Sequence, residues 1–392
     1  MHKLSVEGQH RALLSGIDLA FIGLGFPNGL LGIVWPNMRR DLGLPLQAGG
    51  VLSMVLLCSS AAVCLFLPYF LKRYRATMLA LWGSVAAGAS LLVCCLGSSY
   101  LWLVALCVPL GMGQGMLDLS LNHYVAEKYF SRNVNWLQTC WCVGAGGGVL
   151  LATQALERSG SWRSCYMLLG ILQLIVTAVF LIAVLLWGSE DLPPIAGASK
   201  PDFSILKNFS AWSCVLIVFL YSGAECNVSM WANSLLIERW GQTVTSASAC
   251  MFAFFAALLA GRFLSGAFVN RLGDEKMIAG GIAVSFAASI LLYIKAVPAF
   301  GPIGIALFGL GLAPIMPCMV HLTAQRFGAE RAADVQGIQF CISYLGGSVL
   351  SAALGVLYSG MSLEAFGPAM LVLLLGMVFL FRQLAEKKLA AK

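Results

Sequence analysis

Charge is what this sequence has least of. Only 10% of its 392 residues are Asp, Glu, Lys or Arg, while 59% are hydrophobic. A soluble globular chain carries about 25% charged residues. So few cannot cover a water-facing surface, so most of the surface is expected to face lipid. Other scarcities narrow the function. Four well-separated histidines offer no metal-type spacing. No Walker-type phosphate loop is present, and no soluble segment is long enough to hold one, which excludes ATP-driven chemistry. No nucleophile–base pair or clustered ligand set stands out, so the expectation is no enzyme, no catalytic residues, no metal and no cofactor. No alternating pattern of roughly ten-residue segments appears, which argues against a β-barrel.

Long apolar runs are abundant. A helix needs about 20 apolar residues to cross a bilayer. Twelve candidates lie near 12–36, 46–70, 76–97, 100–125, 134–156, 162–187, 209–237, 243–269, 276–296, 299–320, 332–358 and 362–382. Met1 to Arg11 is short and polar, with no small-residue cleavage site after the first span, so that span reads as a retained helix. With the N-terminus inside, seventeen of the 24 Lys and Arg residues fall in inner segments, six in outer ones, and Arg262 lies within a span. That bias predicts a multi-pass protein of an inner-type cell membrane with both termini in the cytoplasm. The net charge of +7 is then topology, not a nucleic-acid signal. The thirteen cysteines fall within or beside the spans, Cys58, Cys94, Cys95 and Cys318 among them, and read as small packing residues.

The longest polar stretch, Gly188 to Asn208, divides the spans six and six. The expected architecture is an all-α membrane protein of twelve transmembrane helices in two six-helix bundles. Residues 1–187 form the first bundle, 188–208 a cytoplasmic linker and 209–392 the second. The halves correspond weakly. Pro68-Tyr-Phe-Leu-Lys-Arg-Tyr-Arg75 follows the second span and Gly266-Ala-Phe-Val-Asn-Arg-Leu-Gly-Asp-Glu-Lys276 the eighth. Repeated halves flanking a mid-membrane site are a transporter pattern. A monomer embedded in lipid, with a small-molecule substrate and no nucleic-acid partner, is the expected working form.

Gly266 to Lys276 resembles the loop signature of the major facilitator superfamily, with Asn270 at a position usually held by aspartate and Lys72 at the matching place in the first half. Four further segments resemble the fucose permease (sugar:cation symporter) branch of that family. They are Gly111-Met-Gly-Gln-Gly-Met-Leu-Asp-Leu-Ser-Leu-Asn122, Tyr221-Ser-Gly-Ala-Glu-Cys-Asn-Val-Ser-Met-Trp231, Gly261-Arg262-Phe263 and Pro314-Ile-Met-Pro317. The resemblance implies twelve helices, alternating access and Asp118 at the coupling-acid position of the fourth helix. It also places Gly32 where the branch carries another acid in the first helix, so an identical two-acid relay is not implied.

Ionisable residues inside a membrane are costly and mark candidate sites. Glu225 lies near the middle of the seventh span, where a carboxyl is suited to exchanging a proton or bonding a polar solute; a buried structural acid is the alternative. Tyr221, Glu225, Ser229 and Asn233 recur every four residues and share a helix face. So do Gln114, Asp118 and Asn122 in the fourth span. Asp18, about two turns into the first span, could serve as a relay acid or snorkel to the interface. Glu225, Asp118 and Asp18 are the candidate coupling acids, with a proton or sodium as the ion.

Candidate solute contacts are Asn28, Gln114, Asn122, Gln138, Trp141, Tyr221, Ser229, Trp231, Asn233 and Gln339. Asn28 and Gly29 follow Pro27, where an irregular backbone could open carbonyls to a cavity. Gln138 and Trp141 share a face of the fifth span; Gln336, Gln339 and Ser343 share one of the eleventh. Trp141 or Trp231 could stack on a sugar ring or merely anchor an interface. Arg262 reads as a structural charge near the inner end of its span, and His123 and His321 as interfacial. Gly25/Gly29, Gly111/Gly115 and Gly144/Gly148 are spaced for close helix approach. The expected activity is ion-coupled uptake of a small polar solute, a sugar or sugar derivative by resemblance. Proton-coupled export of drugs or metabolites is the alternative, and a non-transporting receptor a third possibility.

Overall fold

A computed structural model describes residues 6–71, 73–97, 99–128, 131–187, 209–295 and 297–390; the interval 188–208, expected to be a linker, lies outside them. Among the described residues the chain is all-helical, with no strand. The helices are α1 (Val6–Gly25), α2 (Leu30–Asp41), α3 (Ala48–Leu71), α4 (Ala76–Cys94), α5 (Tyr100–Lys128), α6 (Ser131–Ser159), α7 (Trp162–Trp187), α8 (Phe209–Glu238), α9 (Val244–Leu272), α10 (Asp274–Tyr293), α11 (Phe300–Leu312), α12 (Ile315–Met361) and α13 (Phe366–Ala390). Among the described residues, eleven segments are long and apolar enough to cross a membrane, and a shorter apolar stretch, Ala48–Val63, lies where the second span is expected.

Departures from one helix per span occur toward both ends of the chain, and the tenth expected span is interrupted at residues 313–314, between α11 and α12. The first span is broken into α1 and α2. Proline has no N–H to give to a helix, and around Pro27 the backbone tightens. Phe26 N bonds Gly23 O at 3.1 Å, Asn28 N bonds Gly25 O at 2.9 Å, and Leu30 N bonds Pro27 O at 3.2 Å. Gly29 has φ 76°, a left-handed conformation that glycine adopts without a Cβ penalty. At the other end of the chain, helical backbone continues from Ile315 to Met361, joining the tenth and eleventh expected spans in one helical run.

The chain forms two compact units, Met1–Leu30 with Ser59–Ala198, and Leu31–Cys58 with Ser199–Lys392. In the first, α1 packs on α6 and α7, and α4 on α5 and α7. Leu13, Ile17 and Phe21 of α1 are buried with Leu79, Leu117, Leu121, Leu137 and Phe180. Glycine makes the α1–α6 approach possible. A Cβ at Gly144 would strike the Ile22 carbonyl, and one at Gly148 the Phe26 carbonyl, just before the break. Such backbone-to-backbone contact favours small residues where helices associate without help from water. Ile171, Ile175, Ile182 and Leu185 of α7 stay exposed, an apolar face that suits lipid.

In the second unit α8 is the central element, packed on α12, α13 and α9. Residues 31–58 dock on it at close range. Gly32 lies against the Ser229 and Met230 carbonyls, and Gly50 against Ala352 and Trp231. Ser348 Oγ donates to the Met54 carbonyl at 3.1 Å. Where the family-like loop passes from α9 to α10, Gly273 makes the turn at φ 81° as the single residue between the two helices. Asp274 and Glu275 then begin α10, where the helix dipole favours acids.

Candidate functional site

The first unit gathers a chain of amides around one acid. Asp118 and Asn122 are one turn apart on α5. The Asn122 amide donates to Asp118 Oδ1 at 2.7 Å and to the Asp118 carbonyl at 3.0 Å. Gln138 Nε2 of α6 reaches Asn122 Oδ1 at 3.4 Å. Three residues chosen from periodicity are therefore physically linked. Gln114 is half-buried one turn earlier on α5, and Trp141 is half-buried on α6, where its carbonyl faces Gly25. Asp18, on α1, takes a hydrogen bond from the Trp136 side chain, while its Oδ1 is buried with no protein hydrogen-bond partner. Asn28 is half-buried in the turn between α1 and α2.

The second unit contains a different arrangement. Glu225 of α8 faces Arg262 of α9, with Glu225 Oε1 and Arg262 Nη2 4.0 Å apart and side chains 16% and 15% exposed. That is at the outer limit of an ion pair, well beyond a charge-assisted hydrogen bond of about 2.7–2.9 Å. Glu225 Oε1 is buried with no hydrogen bond of normal geometry, and the buried hydroxyl of Tyr221 one turn before it lies within reach of both Glu225 and Arg262. Both act electrostatically on one another and on Arg262. Next to them Ser222 of α8 and Ser343 of α12 share a short hydrogen bond.

The expected polar face of α8 does not act as one surface. The half nearer Glu238 is spent on packing. Asn233 is fully buried, and its amide lies 3.4 Å from the Gly32 and Ile33 carbonyls of α2. Ser229 is half-buried with its carbonyl pressed on Gly32. Trp231, expected as a wall for a ring, is 0% exposed. Its indole N–H donates to the Ser351 carbonyl at 3.1 Å, and its ring meets Tyr358 edge-on at 6.1 Å. Gln339 is likewise fully buried, with its amide 3.1 Å from Thr323 Oγ1 and 3.4 Å from the Cys214 carbonyl. These three side chains hold helices together, because in an apolar interior an amide or indole must find a partner. The side chain of Gln336 lies outside the described residues.

Gly32 gains a physical meaning. A Cβ there would overlap the Ser229 carbonyl, so an acid at this position has no room. Arg262 is undervalued by the sequence. It stands ten residues before the end of α9, deeper than an inner-end charge, and faces the acid one helix away. Its only sequence signal is that of a lone cation inside an apolar run. A buried polar cluster on α4 and α7 carries no such signal. There Gln173 Nε2 donates to Ser84 Oγ at 2.9 Å, and Ser84 meets Thr177 at 2.6 Å, all buried. At the family-like loop, His321 Nδ1 meets Asp274 Oδ2 at 2.8 Å and Arg326 Nη2 meets Glu275 Oε1 at 3.5 Å. These contacts link α10 to the α12 run although Asn270 stands where the family loop usually has an acid.

A lone acid beside a lone cation, both interior to long apolar helices, is the pattern of a membrane carrier. The sequence profile described as Major Facilitator Superfamily matches residues 17–351. The chain belongs to the major facilitator superfamily. It is a multi-pass membrane transporter rather than an enzyme. It is similar to membrane protein MosC of Rhizobium meliloti, 22% identical over 327 residues, covering 81% of this chain and 77% of that protein. An uncharacterized 38 kDa protein in the 23S RNA operon of Thermoproteus tenax is 25% identical over 248 residues, 63% of this chain and 61% of that one. Among solved structures, a bacterial homolog of the human lysosomal transporter Spinster, inward-facing and occupied, superposes with a TM-score of 0.76 at 13% identity, covering 96% and 97% of the two chains. The nucleoside transporter NupG, in a point-mutant form, superposes with a TM-score of 0.73 at 14% identity, covering 96% and 99%. At such identities the superfamily fold is what the two structures share with this chain.

Proposed function

We propose that this superfamily member is a secondary active transporter, moving a small polar solute by alternating access and coupled to a proton or sodium gradient through Glu225. The observation that carries the reading is the Glu225–Arg262 pair. A carboxyl held inside α8, facing a cation at 4.0 Å with one oxygen free of hydrogen bonds, can change its charge state without unmaking a packed contact. Asp118 is the second acid and Asp18 the third. Gln114, Asn122, Gln138 and Trp141 are the solute contacts in the first unit, Tyr221 in the second. A sugar or sugar derivative is the favoured solute, because the motifs around Asp118 and Glu225 resemble the fucose permease branch. We place the protein in the inner cell membrane as a monomer with both termini cytoplasmic.

The test begins with a thermal-shift screen of sugars, organic acids and nucleosides on the purified chain. Uptake of a stabilising solute is then followed in proteoliposomes under a pH gradient or a sodium gradient alone. Accumulation with one gradient and none without it supports the reading; flux that never exceeds equilibration under either gradient refutes coupling.

Export is a second reading, and one observation favours it. Asn233, Trp231 and Gln339 are engaged in packing, which leaves fewer polar groups for a hydroxyl-rich solute. Efflux against the solute gradient, with competition by apolar cations, would establish export.

A further inference from the structure

We propose that the loop from α3 to α4 is a headgroup site for an anionic phospholipid, held by Arg73 and Arg75, with the acyl chains lying along α4. The inference is independent of the coupling role given to Glu225 and needs only that the chain spans a membrane.

Pro68 to Arg75 carries Lys72, Arg73 and Arg75 and no acid. Arg73 and Arg75 are exposed, and among the described residues neither is paired with a carboxylate. The loop joins the ends of two apolar helices, which places these guanidiniums at headgroup level. A third cation stands at the same end of the first unit. Lys128 Nζ lies 5.5 Å from the centre of the Tyr124 ring. Tyr124 belongs to the buried cluster that holds Leu71 and Ala76, and Tyr74 packs against that cluster.

A cationic loop alone would suit any anion, and what lies beside it narrows the ligand. Arg73 Cζ is 6.0 Å from the centre of the Tyr74 ring, and Tyr74 meets Trp82 edge-on at 5.0 Å. Trp82 stands six residues into α4, about 9 Å along its axis, at a depth where an amphipathic ring favours the boundary between headgroups and chains. One face of α4 is buried against α5 and α7. Met78, Trp82 and Val85, spaced by four and three, share another face, and they are 45%, 48% and 49% exposed. Guanidinium, aromatic edge and apolar strip therefore follow one another in the order of phosphate, glycerol and acyl chain. A soluble anion would use only the first of the three.

Charge then selects the headgroup. A zwitterionic lipid carries its own cation, which two arginines without a carboxylate partner repel. A lipid of net negative charge brings phosphate oxygens that the guanidinium forks can bond in pairs and leaves no cation to be repelled.

The experiment is native mass spectrometry of the full chain in a neutral detergent, titrated with dioleoyl-phosphatidylglycerol or dioleoyl-phosphatidylcholine. Phosphatidylglycerol should bind about twenty-fivefold more tightly, the scale of two basic side chains at an anionic surface. Arg73→Gln and Arg75→Gln should each weaken it roughly fivefold, and the double variant should bind the two lipids alike. Trp82→Ala should weaken both lipids equally and keep the preference. Arg271→Gln, an exposed cation at the end of α9, is the control and should change nothing. Both arginines are exposed, and melting curves without added lipid check that each variant folds. Phosphatidylcholine bound as tightly as phosphatidylglycerol, wild-type preference in the double variant, or an equal loss in Arg271→Gln would overturn the proposal. So would Trp82→Ala without effect, or inorganic phosphate displacing phosphatidylglycerol, which would mark a site for a free anion.

Discussion

The two units each hold an acid inside a long helix, and they treat it in opposite ways. Asp118 accepts a 2.7 Å hydrogen bond from Asn122 on its own helix, which is joined in turn by Gln138. Glu225 has a cation 4.0 Å away on another helix and an oxygen with no hydrogen bond. A carboxyl bonded by neutral amides is held in place through several contacts at once. A carboxyl balanced mainly by charge is held by a force that disappears when it is protonated. The difference teaches that depth in the membrane alone does not define a coupling acid; what matters is whether its partner depends on its charge.

Breaking each partnership should separate the two cases. Arg262→Ala leaves a buried carboxylate without its counter-charge and is expected to cost about 3 kcal/mol. Asn122→Ala removes neutral hydrogen bonds and is expected to cost about 1 kcal/mol. Melting temperatures in detergent, measured side by side, check the ratio; equal losses would erase the distinction between the sites.

The next effect concerns Gly32, where the close approach of α2 to α8 leaves no room for an acid. Gly32→Ala forces a methyl into the Ser229 carbonyl and should destabilise by roughly 1–3 kcal/mol, as overpacking does. A variant as stable as wild type would show that the α2–α8 approach is not close. Smaller still is Trp231→Phe, which gives up the indole bond to Ser351 for about 1 kcal/mol. It should leave the KM for the solute unchanged, whereas a raised KM would return Trp231 to the solute-binding surface. Least of all is Arg39→Ala. Arg39 is ion-paired with Glu238, and side chains 24% and 37% exposed make a pair worth under about 1 kcal/mol. That small loss should vanish in high salt, where such pairs are screened.

Much of the fold is legible in the sequence because the membrane simplifies the problem. Scarce charge and long apolar runs lead directly to an all-helical spanning protein. Four-residue spacing brings Asp118 to Asn122, and a shared face brings Gln138 toward them. The same spacing fails on α8, because periodicity says which residues share a face and not what that face meets. Tyr221 and Glu225 meet Arg262, while Asn233 meets the backbone of α2. Nothing in the spacing of α8 announces that Gly32 and Gly50 let another segment come so near. Glycine carries no side chain to signal a partner, and its meaning emerges only from the neighbour it admits. Arg262 is misjudged for a related reason. Counting from a loop gives depth along a helix but not direction around it, and direction decides that it faces an acid. Pro27 and Gly29 do mark a break in the first span, since the missing N–H and the freedom for positive φ are properties of those residues alone.

The central claim, that Glu225 carries the coupled ion, is tested most directly by solute-induced ion movement. With a transported solute added to de-energised proteoliposomes, external pH is recorded for the wild type, Glu225→Gln and Asp118→Asn, with sodium flux measured in parallel. Stoichiometric ion uptake is expected for the wild type, a reduced signal for Asp118→Asn, whose amide oxygen still accepts from Asn122, and none for Glu225→Gln although solute still exchanges. Undiminished ion uptake by Glu225→Gln would contradict the account.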